Sequence, residues 1–566
     1  MVEDADIAEY AAGVLGPESA MFDSDPAGFA EALAKALRGA LSSPAAPVRA
    51  TAALAADLAQ IPMLSTARLF GAQPAPPFPV DPTDRRFADP AWSSNPVFYS
   101  IRLTYLAACS YAREVVGSAE LEADAAAKAT MALDLLLDAL APTNYLATNP
   151  AALKQAFDTG GASLVRGARN FVDDLLHNEG RPRQVDTSKF TVGENLAATP
   201  GKVVYRNELM ELLQYEPQTP QVHATPLLCS PPWINKYYVM DLAPDRSFIE
   251  WVIRHNRTVF AISYRNASKE MSATTMDDYL IYGPRAALDV ISDITDADTI
   301  DIVGLCMGGA LTAITAAYLI QAGDHRVGTV TLLNTMLDYS EPGVLGAFTD
   351  EATVARIEKK MERSGGLEGK SMAGTFDALR ANDLIFNYVV SNWLMGQDPP
   401  AFDILAWNAD STRMPAAMHA FYLRNFYVEN RLAGGTLNIA GTTIDLSAIK
   451  SPTYVVSAID DHIVPWEAAY KTTGLIHGPT RYVLSSSGHI AGIVNPPSPK
   501  GWYMLNETLP PTAAQWRDSA KRRKGSWWED WTSWSNEHAG PLTDPPPIGS
   551  AKNPALGPAP GDYVLT

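Results

Sequence analysis

The stretch IDIVGLCMGGALTAITAAYLI, residues 300–320, constrains this chain more than any other. A short run of β-branched residues stops at Gly304-Leu305-Cys306-Met307-Gly308. The chain then enters an alanine-rich segment with the composition of a helix. A strand, a tight turn and a helix with glycines around one reactive side chain form the G-x-S-x-G elbow. There the central residue sits on a strained turn and the flanking glycines relieve the crowding. Cysteine stands here where serine is usual. A buried structural thiol is the competing reading, and it suits Cys109 and Cys229 better than Cys306.

The surrounding sequence supplies the context that an elbow needs. GKVVYRNELMELLQY (201–215) reads as an opening hairpin, and TPLLCSPP as a short strand running into a Pro-rich loop. RTVFAISYR (257–265) and GTVTLLNT (328–335) read as further strands, with helical patterns before and after residues 299–304. Strands resume at SPTYVVSAIDD and TRYVLSSSGHI. Apolar, β-branched strands alternating with helices predict a mostly parallel sheet covered on both faces; with the elbow at Cys306 the expectation is an α/β-hydrolase fold. Residues 337–449 interrupt the strands with helical, aromatic-rich sequence, which predicts a cap over the active-site end. Residues 1–187 read as a helical N-terminal domain, with Phe29, Leu33 and Leu37 recurring at helical spacing. Residues 188–566 make the catalytic domain with its cap, and HNEGRPRQVDTSKF (177–190) supplies the linker.

Elbow folds place the acid and then the base after the nucleophile. SAIDDHIVPW puts Asp460 and Asp461 just past one strand, with Asp461 slightly favoured. SSSGHIAG puts His489 on a small-residue turn past the next. His462 reads as a neighbouring structural group. An oxyanion hole needs two backbone N–H groups. The Met307 N–H is one; the other comes from SPPWINKYYVMDL, near Trp233 or Ile234.

The thiol narrows the chemistry. An adjacent imidazole generates thiolate at neutral pH. A thioester donor then transfers its acyl group to cysteine almost without change in free energy, and passage to a hydroxyl is downhill. Acyl transfer from a thioester is therefore expected ahead of ester hydrolysis. A net charge of −19 argues against a nucleic-acid partner. Three cysteines without metal or paired-motif spacing argue against a disulfide framework or a metal site. The acidic start MVEDADIAEY lacks the pattern of a secretory signal, and no uncharged apolar run approaches ~20 residues. The expectation is a cytoplasmic enzyme without cofactor or transmembrane segment.

Longer stretches carry a family likeness: RRFADPAWSSNPVF (85–98), APTNYLATNPAALKQAFDTGGASLVRGARN (141–170), GENLAATPGKVVYRNELMELLQY (193–215), SPPWINKYYVMDL, GLCMGG, DDHIVPW, SSGHIAGIVNPP and GSWWEDWTSW. The chain resembles the class I polyhydroxyalkanoate synthases. The resemblance implies polymerisation of (R)-3-hydroxyacyl-CoA into polyester, with CoA as the leaving group. It implies Cys306, Asp461 and His489 as the catalytic set, choosing Asp461 over Asp460. It further implies a homodimer, attachment to polyester granules and contact with granule-coat proteins (phasins) through the N-terminal domain. Asn235 and Arg380 are candidates for contacting CoA or the acyl unit, with a surface ion pair as the alternative for Arg380. Trp527, Trp528, Trp531 and Trp534 read as helix packing rather than a granule-binding face. Rival readings are a cysteine-type thioesterase or intracellular polyester depolymerase, an alcohol acyltransferase, and a non-catalytic granule-coat protein.

Overall fold

The computed structural model describes residues 25–566; the acidic start MVEDADIAEY lies outside them. The chain forms two compact units. One runs to Asp186 and takes in Lys370–Phe402; the other comprises Thr187–Gly369 and Asp403–Thr566. The segment expected as a single cap at 337–449 is thus divided, because its stretch Lys370–Phe402 groups with the N-terminal helices.

In the first unit the main helices are α1 (Pro26–Ser42), α2 (Ala45–Leu69), α3 (Pro96–Gly117), α4 (Ala123–Ala139), α5 (Pro150–Asp158) and α6 (Ala162–His177). Three start at an Asx-Pro pair: the side chains of Asp25, Asn95 and Asn149 accept from the N–H groups of Gly28, Val97 and Ala152. Proline at the next position costs nothing there, since its missing N–H would have had no partner within the helix. The buried face of α1 is Phe29, Ala32, Ala36 and Ala40, whereas Leu37 is 45% exposed. Of the Phe29-Leu33-Leu37 series, Phe29 is buried and Leu33 partly buried, and Leu37 alone faces out. Ala32 and Ala36 pack with Val116, Ala129 and Leu133, and small side chains let α1 and α4 approach closely. The segment Lys370–Phe402 is held to α6 by Asp174, whose carboxylate accepts from Trp393 Nε1 at 2.8 Å and Arg183 Nε at 2.9 Å. A Cβ at Gly167 would overlap the Trp393 carbonyl.

The second unit is built on an eleven-stranded sheet. Its strands are β1 (Gly201–Arg206), β2 (Met210–Tyr215), β3 (Leu227–Ser230), β4 (Val259–Tyr264), β5 (Ile300–Leu305), β6 (Val327–Leu333), β7 (Thr453–Ala458), β8 (Thr480–Ser485), β9 (Trp502–Leu505), β10 (Lys521–Lys524) and β11 (Gly557–Pro558). They lie in the order β10-β9-β8-β7-β6-β5-β3-β4-β2-β1-β11. From β8 across to β4 every neighbouring pair is parallel; the outer pairs are antiparallel. All residues of β3, β4, β5 and β7 are buried, as strands covered on both faces require.

Near the starts of β4 and β5, Arg257 and Asp301 form an ion pair at 2.5 Å, each 1% exposed. Asp301 also accepts from Thr329 N at 2.8 Å, and Arg257 donates to the Thr225 carbonyl at 3.1 Å. At the other end, the loops after β3, β5, β6, β7 and β8 share one edge of the sheet. Helix α9 (Trp527–His538) supports the loop that follows β8. Its tryptophans are buried, and the indole N–H groups of Trp527 and Trp528 donate to Gly492 O and Ile493 O at 2.9 and 2.8 Å. Trp531 donates to Thr331 Oγ1 at 2.9 Å. Those indoles are packed inside the unit, on the route from β8 back to the sheet. Among the described residues, no helix is long and apolar enough to cross a membrane.

Candidate active site

Cys306 joins β5 to helix α7 (Met307–Gln321) with φ +52° and ψ −118°, a conformation that non-glycine residues rarely adopt. Its N–H donates to Leu333 O at 2.8 Å, fixing the turn against the end of β6. The surrounding glycines are sterically required. A Cβ at Gly304 would run into Thr312 Oγ1 and the Gly309 backbone. At Gly308 it would overlap the carbonyls of Ser230 and Pro231. This last contact brings the Pro-rich loop after β3 directly against the start of α7. Cys306 is partly exposed, while Cys109 and Cys229 are buried.

The structure brings His489 and Asp461 to the same turn. His489 Nδ1 lies 2.6 Å from Asp461 Oδ2, which leaves Nε2 as the nitrogen available to Cys306, with which the imidazole also interacts. The other Asp461 oxygen accepts from the N–H groups of Ile463 and Val464 at 2.8 and 2.9 Å. Both oxygens of this fully buried carboxylate are thereby engaged. Asp460 is exposed, and only its backbone N–H is tied down, to Ser487 O. Burial alone would lower the imidazole pKa. The charges of Asp461 and Cys306 and their hydrogen bonds outweigh it, and His489 is pushed up to about 10.

Met307 is the first residue of α7, so its N–H has no acceptor within the helix and faces the turn. The bonds that close this turn come instead from Gly309 and Ala310 to Cys306 O. In the loop after β3, Ile234 and Asn235 are half-buried between the buried side chains of Trp233 and Lys236. Asn235 forms an isolated backbone bridge with Ser411. Arg380 lies in the other unit, exposed and ion-paired with Asp383.

Several residues here have roles that the sequence reading did not assign. Asn334, at φ +41° just past β6, donates through Nδ2 to His489 O and fixes the backbone of the histidine turn. An asparagine directly after an apolar strand was the available signal. Tyr339, Tyr422 and Tyr427 form an aromatic wall near Cys306. Tyr339 and Tyr422 meet at 3.4 Å between hydroxyls. Burial raises the pKa of all three, so they stay neutral. Trp233 packs on Tyr422 and on Tyr279, extending the wall to the Pro-rich loop. Tyr422 belongs to α8 (Ala416–Tyr422) and Tyr427 to the turn beyond it, so the part of the interstrand segment within this unit supplies much of the apolar lining.

A mostly parallel sheet with a strained cysteine turn between β5 and α7, and with Asp461 and His489 past the ends of β7 and β8, defines the class: a protein of the α/β-hydrolase fold with cysteine at the elbow. Residues 229–496 match the family described as alpha/beta hydrolase fold, and residues 83–252 match Poly-beta-hydroxybutyrate polymerase (PhaC) N-terminus. The chain is 42% identical over 489 residues to the poly(3-hydroxyalkanoate) polymerase subunit PhaC of Cupriavidus necator, covering 85% of this chain and 83% of that one. It is 41% identical over 530 residues to the poly(3-hydroxyalkanoate) polymerase of Methylorubrum extorquens, covering 93% and 87%. It is 42% identical over 494 residues to polymerase 2 of Ectopseudomonas oleovorans, covering 87% and 88%. The chain belongs to the poly(3-hydroxyalkanoate) polymerase family.

Proposed function

We propose that this protein is an acyltransferase that polymerises (R)-3-hydroxyacyl-CoA, with 3-hydroxybutyryl-CoA as the expected unit, through an acyl-cysteine intermediate. The observation that carries this reading is a thiol, in place of the usual hydroxyl, at an elbow with His489 and Asp461 beside it. Cys306 Sγ attacks the thioester carbonyl, and the negative charge that develops on oxygen is held by the N–H groups of Met307 and Ile234. The C–S bond to CoA breaks, and the departing thiolate takes its proton from the His489 imidazolium. The 3-hydroxyl of another unit then gives its proton to His489 and attacks the acyl-cysteine. An oxygen ester forms and Cys306 is released. Because both Asp461 oxygens are engaged, Asp461 acts through His489, holding its tautomer and charge. Neutral tyrosines lining an apolar wall suit a hydroxyacyl chain and offer hydroxyl donors to its ester groups. Asn235, half-buried beside the elbow, is assigned to the CoA or acyl unit.

The test is purified protein with (R)-3-hydroxybutyryl-CoA. The expected products are free CoA and insoluble polyester, and Cys306→Ala abolishes both. Soluble hydroxy acid would identify a thioesterase or depolymerase, small esters an alcohol acyltransferase, and no CoA release a non-catalytic coat protein. Membership of the family supports, as a further proposal, a cytoplasmic homodimer at the surface of polyester granules, with the region 1–187 contacting phasins. Centrifugation with isolated granules tests that placement.

A further inference from the structure

Lys236 lies two residues beyond Ile234 and is 3% exposed, a costly place for an ammonium group. Its Nζ donates to the main-chain oxygens of Val564, at 3.0 Å, and Thr566. Burial lowers its pKa, and the charge of Asp410 opposes that shift. Asn266 Nδ2 reaches the same Thr566 oxygen at 3.3 Å, while its Oδ1 accepts from Arg413 N at 2.8 Å. The strip around residues 407–413 closes on the loop from the other side. Trp407 Nε1 donates to Lys236 O at 2.8 Å, Thr412 Oγ1 to Trp233 O at 3.2 Å, and Tyr238 Oη to Asp410 at 2.8 Å. Ser411 bridges Asn235 through the backbone. Two segments far apart in sequence, tied to each other through Asn266, therefore grip the loop on both sides of Ile234 and Asn235, while those two residues stay half-exposed.

We propose that Lys236 is a positioning residue: with the Tyr563–Thr566 tail and the Thr412 hydroxyl, it clamps the loop after β3 so that the Ile234 N–H points at the developing oxyanion. This rests on the acyl-cysteine reading above. The clamp contributes to acyl transfer, which builds charge on the carbonyl oxygen. It contributes nothing to Cys306 reactivity as such, which depends on His489 and Asp461. The two are separable because alkylation by iodoacetamide needs a reactive thiol and no oxyanion hole.

The experiment compares Lys236→Met, Lys236→Arg and Thr412→Val with the unaltered full-length protein. Single-turnover release of CoA from (R)-3-hydroxybutyryl-CoA is measured by rapid quench, beside the rate of Cys306 alkylation by iodoacetamide. Lys236→Met is expected to slow CoA release about 10²-fold, the cost of losing an oxyanion donor, with alkylation unchanged. Lys236→Arg should recover part of the loss, and Thr412→Val should show the same selective slowing to a smaller extent. Thr412→Val decides by the same criterion if Lys236→Met does not fold. Equal loss of both rates, or loss of neither, overturns the proposal. Cys306→Ala is run alongside: CoA release surviving in that variant would defeat the acyl-cysteine reading itself, independently of Lys236.

Discussion

At the scale of single residues, the site was legible wherever a reactive side chain directly follows a strand. Cys306, Asp461 and His489 each sit within a few positions of a strand end, so chain order alone brought them to one edge. The place of Asn334 after an apolar strand was a signal, but the partners of Asn334 and Lys236 were not legible because they are remote, 155 residues away for the His489 carbonyl and 328 for that of Val564. No local pattern encodes such a pairing. The His489–Asp461 pair also has a pH signature. The folded-state pKa of about 10 stands above the ordinary 6.5. The contribution of this pair to stability is therefore complete below pH 6.5 and lost as the pH rises through about 10. Urea unfolding across that window should show stability falling with pH in the wild type and much less so in Asp461→Asn. The same substitution should lower the rate of CoA release by up to roughly 10⁴-fold, as expected for a histidine left in the wrong tautomer.

Elements were legible where propensity and packing agree, and their packing faces were not where close approach decides. The Asx-Pro pairs mark helix starts through purely local hydrogen bonding, and the elbow is announced by glycines that have no steric alternative. In α1 the helical spacing did not say that Ala32 and Ala36 face α4, since the nearness of two helices is a property of the pair. Two substitutions test the elements around the site. Gly308→Ala forces a methyl group against the carbonyls of Ser230 and Pro231. Displacement of the loop after β3 should cost about 10²-fold in turnover, with the circular dichroism spectrum retained. Trp528→Phe leaves the Ile493 carbonyl without its indole donor. Unfolding in urea should report a loss of about 0.5–1.5 kcal/mol, that of a single hydrogen bond, since Asn495 N still donates to this carbonyl at 2.9 Å.

Across the whole molecule, alternation of strands and helices indicated a mostly parallel sheet, and the elbow at Cys306 indicated which fold is built on it. Neither indicated that Lys370–Phe402 groups with the N-terminal helices, because that depends on one buried aspartate and on a glycine that admits a backbone. The ends of the main sheet opposite the site rest on the Arg257–Asp301 pair. Arg257→Leu strands a buried carboxylate and should destabilise the protein by about 3–5 kcal/mol, read from urea midpoints. The two outermost strands carry a different kind of information. β10 is Lys-Arg-Arg-Lys with every residue exposed, and β11 ends in Pro558, paired with Lys202. A second copy approaching the first border meets four like charges, and one approaching the other meets a residue with no N–H to offer. A sheet this wide would otherwise be a template for its own extension. These borders let many copies crowd together without zipping into a fibre.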